Sequence, residues 1–320
     1  MEEHGNEDER TAEFILGGGI EKKLYWTLMR ENYTHVLPEI MELLKNHEEC
    51  RSIMITSDDI VLEKQSGLKM FFNFLESISR AEIDLCNAVD PEKEDMRIIS
   101  ELIGKNKAGV ALDIGANVGM FSLELYQDHP EMDYYVFEPI PTTYTNLLRT
   151  IKLNEANPEK IHPLNLGISN QRGTFKFYLP GESEAASLQP VDDAFYRKQS
   201  DKFGSYTGSV EMSEVECQVT TVDEFVQENC LSTVDFMKID VEGNEKFVLQ
   251  GARETLEKYH PLVYCELLRK HAKRFGYHPN DVIAYMKSLG YVCRTIRNRV
   301  VIDIDAIDES TEETNFIFQS

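Results

Sequence analysis

Residues 112–125 read LDIGANVGMFSLEL: an apolar strand closing on an aspartate, a turn with glycines at 115 and 119, then an amphipathic helix. A glycine-rich turn from strand to helix lets a ligand approach the backbone, and the helix N-terminus adds oriented N–H groups. A dinucleotide fingerprint starting at Gly115 needs glycine at 117 and 120, where this chain has Asn117 and Met120. A side chain at 117 would crowd a pyrophosphate. The turn therefore suits a nucleoside ligand without phosphates, with Asp113 placed to hold a cationic amino group.

Outward from this turn, short apolar strands alternate with amphipathic helices, the pattern of a parallel sheet covered on both faces. Strands are expected at 109–114, 133–138, 161–167, 234–239, 261–267, 291–296 and 315–319, and helices near 118–128, 141–156, 244–257 and 279–289. GTFKFYLP and VECQVTT alternate with period two and point to an antiparallel excursion between the third and fourth strands. The segment they bracket, 181–214, is polar and is read as a lid-like insertion or plain surface; Tyr196, Phe203 and Tyr206 could stack on a sugar or polyketide or simply pin the loop. Residues 1–95 form a separate region, with the first twelve or so disordered and helices expected near 20–48 and 67–87. In the second of these, Leu68, Phe71, Phe72, Leu75 and Ile78 share one helical face. The region is expected to shape an acceptor pocket or to mediate a homo-oligomer contact.

The second strand ends in Glu138, nineteen residues beyond Gly119. An acidic group there can accept hydrogen bonds from both ribose hydroxyls. Together with D-x-G-x-N-x-G on the preceding strand it makes a specific nucleoside signature.

The segments LDIGANVGMFSLEL, VFEPIPTTYTNL, LGISNQRGTFKFY, TTVDEF, FMKIDVEGNEKFVLQGA and PLVYCEL, in this order over about 109–320, resemble the FkbM-type S-adenosylmethionine-dependent methyltransferases. KIDVEGNE is the most specific of them. The resemblance implies an α/β, Rossmann-like class I methyltransferase domain over 96–320, with a doubly wound, mostly parallel seven-stranded sheet and a helical N-terminal extension. It implies S-adenosylmethionine as cofactor and a hydroxyl on a small molecule or glycan as acceptor. The resemblance implies adenine-side contacts where the family's usual A-L-S-D stands, which makes Gly167 and Ile168 the candidates; here that stretch departs from the pattern and reads Gly167-Ile168-Ser169-Asn170.

FMKIDVEGNE, residues 236–245, places Lys238, Asp240 and Glu242 two apart where an apolar strand gives way to glycine. Alternation puts all three on one side if the extended geometry persists. Asp240, at the strand tip, is the leading catalytic candidate. Glu242 is divided between chemistry and capping the following helix with Asn244. Lys238 needs a carboxylate or carbonyl partner if buried. Glu266, at the next strand's end, is a third acid for the same crevice, and three carboxylates would also allow a divalent metal ion. His271 and His278 follow on a charged helical stretch, where solvated roles are the commoner expectation.

The chain has 33 lysines and arginines against 56 acids, a formal charge of -23, and such a surface repels phosphate backbones and anionic lipid. Nucleic acid is disfavoured as a partner. No run of about 18 apolar residues occurs, the N-terminus carries acids rather than a leader pattern, and the six cysteines form no CxxC pair, so a soluble, cytoplasmic setting is expected. The sequence leaves three rival readings: an N-methyltransferase, which would carry an Asn-Pro-Pro-Tyr tetrad in place of IDVEG; a nicotinamide oxidoreductase; and a non-catalytic binding module on the same fold.

Overall fold

A computed structural model describes residues 50–55, 60–72, 91–104, 107–180, 186–190 and 212–320. The chain divides into two compact units, Met1–Val89 and Asp90–Ser320.

In the first unit β1 (Cys50–Ile55), β2 (Ile60–Lys64) and β3 (Lys69–Phe72) form an antiparallel sheet in that order. The start of the helix expected over 67–87 is thus a strand. Gly67, at φ +88°, closes a tight turn in which its N–H donates to the Lys64 carbonyl, while Leu68 and Met70, two apart, are the buried residues. Period two wins over the helical spacing because that turn returns the chain onto β2. The helix expected near 20–48 and the remainder of 67–87 lie outside the described residues.

The second unit opens with α1 (Pro91–Ile103) and then builds β4 (Val110–Ile114), α2 (Met120–Asp128), β5 (Asp133–Phe137), α3 (Pro141–Leu153) and β6 (Ile161–Leu164). After an excursion come α4 (Val222–Glu228), β10 (Phe236–Ile239), α5 (Glu245–Gln250), α6 (Arg253–Tyr259), β11 (Leu262–Glu266), α7 (Arg269–Arg274) and α8 (Pro279–Ser288). β12 (Val292–Arg297), β13 (Val300–Asp303) and β14 (Asn315–Gln319) complete the sheet.

Its order is β13-β12-β14-β11-β10-β4-β5-β6, parallel from β11 to β6 and antiparallel beyond. Seven of these strands are those expected from the sequence, and the eighth, β13, returns on β12 through a tight turn at Asn298 and Arg299, both at positive φ. The helix expected over 244–257 is two helices, broken at Gly251, where a Cβ would meet the Ser169 carbonyl at 2.2 Å. The excursion forms a separate sheet of β7 (Gly167–Ile168), β9 (Met212–Thr220) and β8 (Gly173–Pro180), in that order, so the expected 161–167 strand is split between two sheets.

The central strands β4 and β10 are buried on both faces. Val110, Leu112 and Ile114 of β4, with Met237 and Ile239 of β10, face α4, α5, α6 and α8. Ala111 and Phe236 face α1 and α2, against Ile99, Phe121 and Leu125. By the same alternation Asp113 and Lys238 stand on the α2 face, which is where the chemistry-bearing charges of the two central strands meet.

Candidate active site

Strands β4 and β10 run parallel with Asp113 paired to Lys238 in register. Both side chains are buried. Asp113 accepts a hydrogen bond from the Ser122 hydroxyl at 2.6 Å, and the Lys238 ammonium lies 3.8 Å from its other oxygen and 3.4 Å from Asp240 Oδ2. The Lys238 ammonium also sits 5.3 Å from the centroid of the Phe121 ring. Asp113 thus faces Ser122 and Lys238, with Oδ1 buried and accepting no hydrogen bond.

At the turn after β4, Gly115 has φ +82°, and a Cβ on it would stand 1.8 Å from the Asp240 carbonyl oxygen. The glycine serves a close approach between two strand tips as well as the turn itself. Gly119, at φ +84°, has its Cβ position filled by Leu147. Asn117, at φ 52°, donates its backbone N–H to Glu138 Oε2, and its own side-chain oxygen is buried with no hydrogen-bond partner. Glu138 also accepts from the Ile140 N–H through Oε1 at 2.8 Å. Glu138 is thus held in place by the backbone of the turn and of the segment after β5.

Beside it lies an apolar cleft whose walls include Gly115, Phe137, Gly167, Ile168, Leu188 and Val241. Gly115, Gly167 and Ile168, expected from the sequence as cofactor contacts, therefore share one cleft, with Glu138 adjoining at Phe137. Asn244 closes its floor: the amide donates to the Ile168 carbonyl at 3.1 Å and does not cap α5. Leu188 and Ser187 belong to the described fragment of the 181–214 insertion; Ser187 bridges to Tyr178 and donates to the Glu242 carbonyl. Tyr196, Phe203 and Tyr206 lie outside the described residues.

The acids expected at the crevice are gathered around the tip of β10. Asp240 is 33% exposed. Burial raises its carboxyl above the usual range, Lys238 opposes this, and Glu242 and Asp113 add to it. Glu266, half-buried at the end of β11, is pushed well up by burial and then by Asp240, Glu242 and Glu245. These two acids bind protons more readily than free carboxylates do. Glu242 behaves differently. Burial opposes its ionisation, but His271 Nδ1 at 3.0 Å, with Arg274 and Lys270, outweighs burial and holds its carboxyl below the usual range. Its side chain is directed at α7 rather than at the N-terminus of α5, and its backbone carbonyl accepts from Arg274 as well as Ser187. Glu242 adopts φ 54°, a conformation costly for a side chain of this kind.

His271 is buried against Glu242, not solvated. His278 caps α8, its Nδ1 accepting from the Asn280 N–H. Two further residues stand at the centre of the turn: Glu245, whose carboxyl oxygen accepts from the Gly243 and Val241 N–H groups, and Tyr277, whose hydroxyl reaches Glu245. Glu245 could have been found as the first acid after Gly243; Tyr277, thirty-two residues on, could not. Among the described residues no three His, Cys, Asp or Glu side chains are grouped to hold a metal ion, and no helix is long and apolar enough to cross a membrane.

Residues 113–293 match the family model of the methyltransferase FkbM domain. Methyltransferase 1 of Beauveria bassiana (strain ARSEF 2860) is 28% identical over 61% of this chain and 73% of its own length. The 31-O-demethyl-FK506 methyltransferase FkbM of Streptomyces tacrolimicus is 27% identical over 45% of this chain, which spans only 60% of that relative. Among solved structures, methyltransferase FkbM from Methylobacillus flagellatus KT aligns with a TM-score of 0.41 at 13% identity, covering 67% of this chain and 44% of that one.

Proposed function

The chain belongs to the FkbM family of S-adenosylmethionine-dependent methyltransferases, and from that premise we propose that it methylates a hydroxyl on a small molecule or glycan, with the tip of β10 as the acceptor side of the reaction. The name of the Streptomyces tacrolimicus relative, a 31-O-demethyl-FK506 methyltransferase, supports oxygen as the acceptor atom. The observation that carries the reading is the meeting of the β4 and β10 tips, which sets an apolar cleft beside a partly open carboxylate.

The residues present fit the cofactor. The orphaned Asn117 oxygen offers an acceptor at the turn beside the Glu138 carboxylate, and the walls from Gly167, Ile168 and Leu188 suit a flat apolar base. S-adenosylmethionine supplies a methyl group on a positively charged sulfur, open to in-line displacement. The chain's own task is to align the acceptor oxygen and to take its proton. Asp240 is assigned that proton. Its raised carboxyl makes it a stronger base than an exposed aspartate, and Lys238 fixes its direction. Glu266 lends a second acidic wall, and Glu242, ionised and tied to α7, anchors the turn.

The test is transfer of an isotopically labelled methyl group to a panel of hydroxylated small molecules and glycans, with the product's methyl located by NMR. Label on oxygen supports the proposal. Label on nitrogen, or no transfer to any acceptor by protein that binds the cofactor, overturns it.

A further inference from the structure

The turn that carries Asp240 is built around a carboxyl group in an unusual setting. Glu245 is 2% exposed. Its Oε1 accepts from the Gly243 N–H at 2.8 Å and the Val241 N–H at 3.3 Å, and its Oε2 lies 2.9 Å from the Tyr277 hydroxyl. That hydroxyl is also 3.0 Å from the Gly243 carbonyl oxygen. A phenol has one proton to give. If Glu245 is ionised, its carboxylate and the Gly243 carbonyl compete for that proton, and one buried acceptor goes short.

A protonated Glu245 removes the conflict. Its own O–H donates to the Tyr277 oxygen, Tyr277 donates to the Gly243 carbonyl, and Oε1 keeps both backbone donors. Every polar atom of the set is then satisfied and no charge is buried. The neighbours favour the same state. Asp240 faces it from the tip of β10, and Glu266 and the Cys265 thiol from β11. The cation on its own helix, Lys246, is engaged with Asp281 at 3.4 Å and with the face of the Tyr277 ring. Burial, partly offset by the backbone donors and Tyr277 and reinforced by Asp240, pushes the Glu245 carboxyl up to about 7.

We propose that Glu245 is a positioning residue that acts as a neutral acid, latching the 240–244 turn through Tyr277 and thereby aiming Asp240 in a proton-dependent way. The consequence for methyl transfer rests on the reading above; the latch itself does not. Because the carboxyl is raised in the closed turn, its stabilisation is full below its ordinary value of 4.5 and is lost as pH rises through about 7.

Amide hydrogen exchange at Gly243 in the full chain, corrected for the intrinsic pH effect, reads the latch directly. For wild type, the opening equilibrium should rise about tenfold between pH 6 and 8. Glu245→Gln, which keeps the shape and donates to Tyr277 without a charge, should stay protected and flat across that range. Glu245→Ala should be open throughout. A flat wild-type profile, or a glutamine variant as open as the alanine variant, overturns the proposal; should either variant fail to fold, the wild-type profile alone decides. Calorimetric titration with S-adenosylmethionine at the same pH values separates the two ideas. A folded wild type that ignores the cofactor sinks the methyltransferase reading and leaves the exchange result standing.

Discussion

Replacing Gly115 with alanine probes the joint on which the crevice is built. The new Cβ would stand 1.8 Å from the Asp240 carbonyl oxygen, a backbone atom with no rotamer to escape into. The substitution also places a side chain at φ +82°, which costs about 1–2 kcal/mol by itself. Relief requires the β4 and β10 tips to part by more than an ångström, which breaks the terminal ladder bond from the Asp240 N–H to the Ile114 carbonyl, now 3.0 Å. That bond contributes about 1 kcal/mol net, and the misfit adds about 1–3 kcal/mol. The expected loss is therefore about 4 kcal/mol, read by urea denaturation with an unchanged dependence on denaturant. Because the displaced atom belongs to Asp240, methyl transfer should fall further than stability at low temperature explains. A loss below about 1 kcal/mol with activity intact would refute the idea that this glycine exists for strand-tip contact.

Asp240→Asn should bind S-adenosylmethionine normally and lose about 10²–10⁴-fold in turnover, as expected for removal of a base; turnover within twofold of wild type would reassign the base. Lys238→Met leaves the buried Asp113 carboxylate with Ser122 alone and should cost about 3–5 kcal/mol in denaturation. Adding Asp113→Asn should recover much of that loss, and additive losses would argue against the pair. Glu242 is held below its ordinary 4.5, so its contribution is present above that value and disappears as pH falls through the depressed one. Glu242→Gln should therefore lose stability at neutral pH and converge with wild type in acid; parallel curves at all pH would contradict the His271 and Arg274 pairing.

Much of the catalytic half of this fold is legible in the sequence because its signals are local. An apolar run ending in Asp113-Ile114-Gly115 reads as a strand and a turn without knowledge of neighbours. Alternation likewise puts Lys238 and Asp240 on one side, and their side chains stand 3.4 Å apart although the strand ends at Ile239. What could not be read depends on partners distant in the chain. Gly115 looked like an opening for a ligand, and only the register of β10 brings the Asp240 carbonyl against it. Glu242 and Asn244 had the right residue types and spacing for a cap, but His271 and Arg274 claim the first and the Ile168 carbonyl claims the second. The stretch from Leu68 reads as a helical face, and the turn at Gly67 makes its start a strand instead. Glu245 and Tyr277 form a unit only in three dimensions.

The central claim, that the crevice beside β4 and β5 holds S-adenosylmethionine, is tested most directly by calorimetric titration of the cofactor into wild type and Glu138→Ala. The account predicts saturable binding to a single site in wild type and at least about tenfold weaker binding in the variant, the loss of roughly one charge-assisted hydrogen bond pair. Folded wild type that does not bind, or a variant that binds equally well, would contradict it.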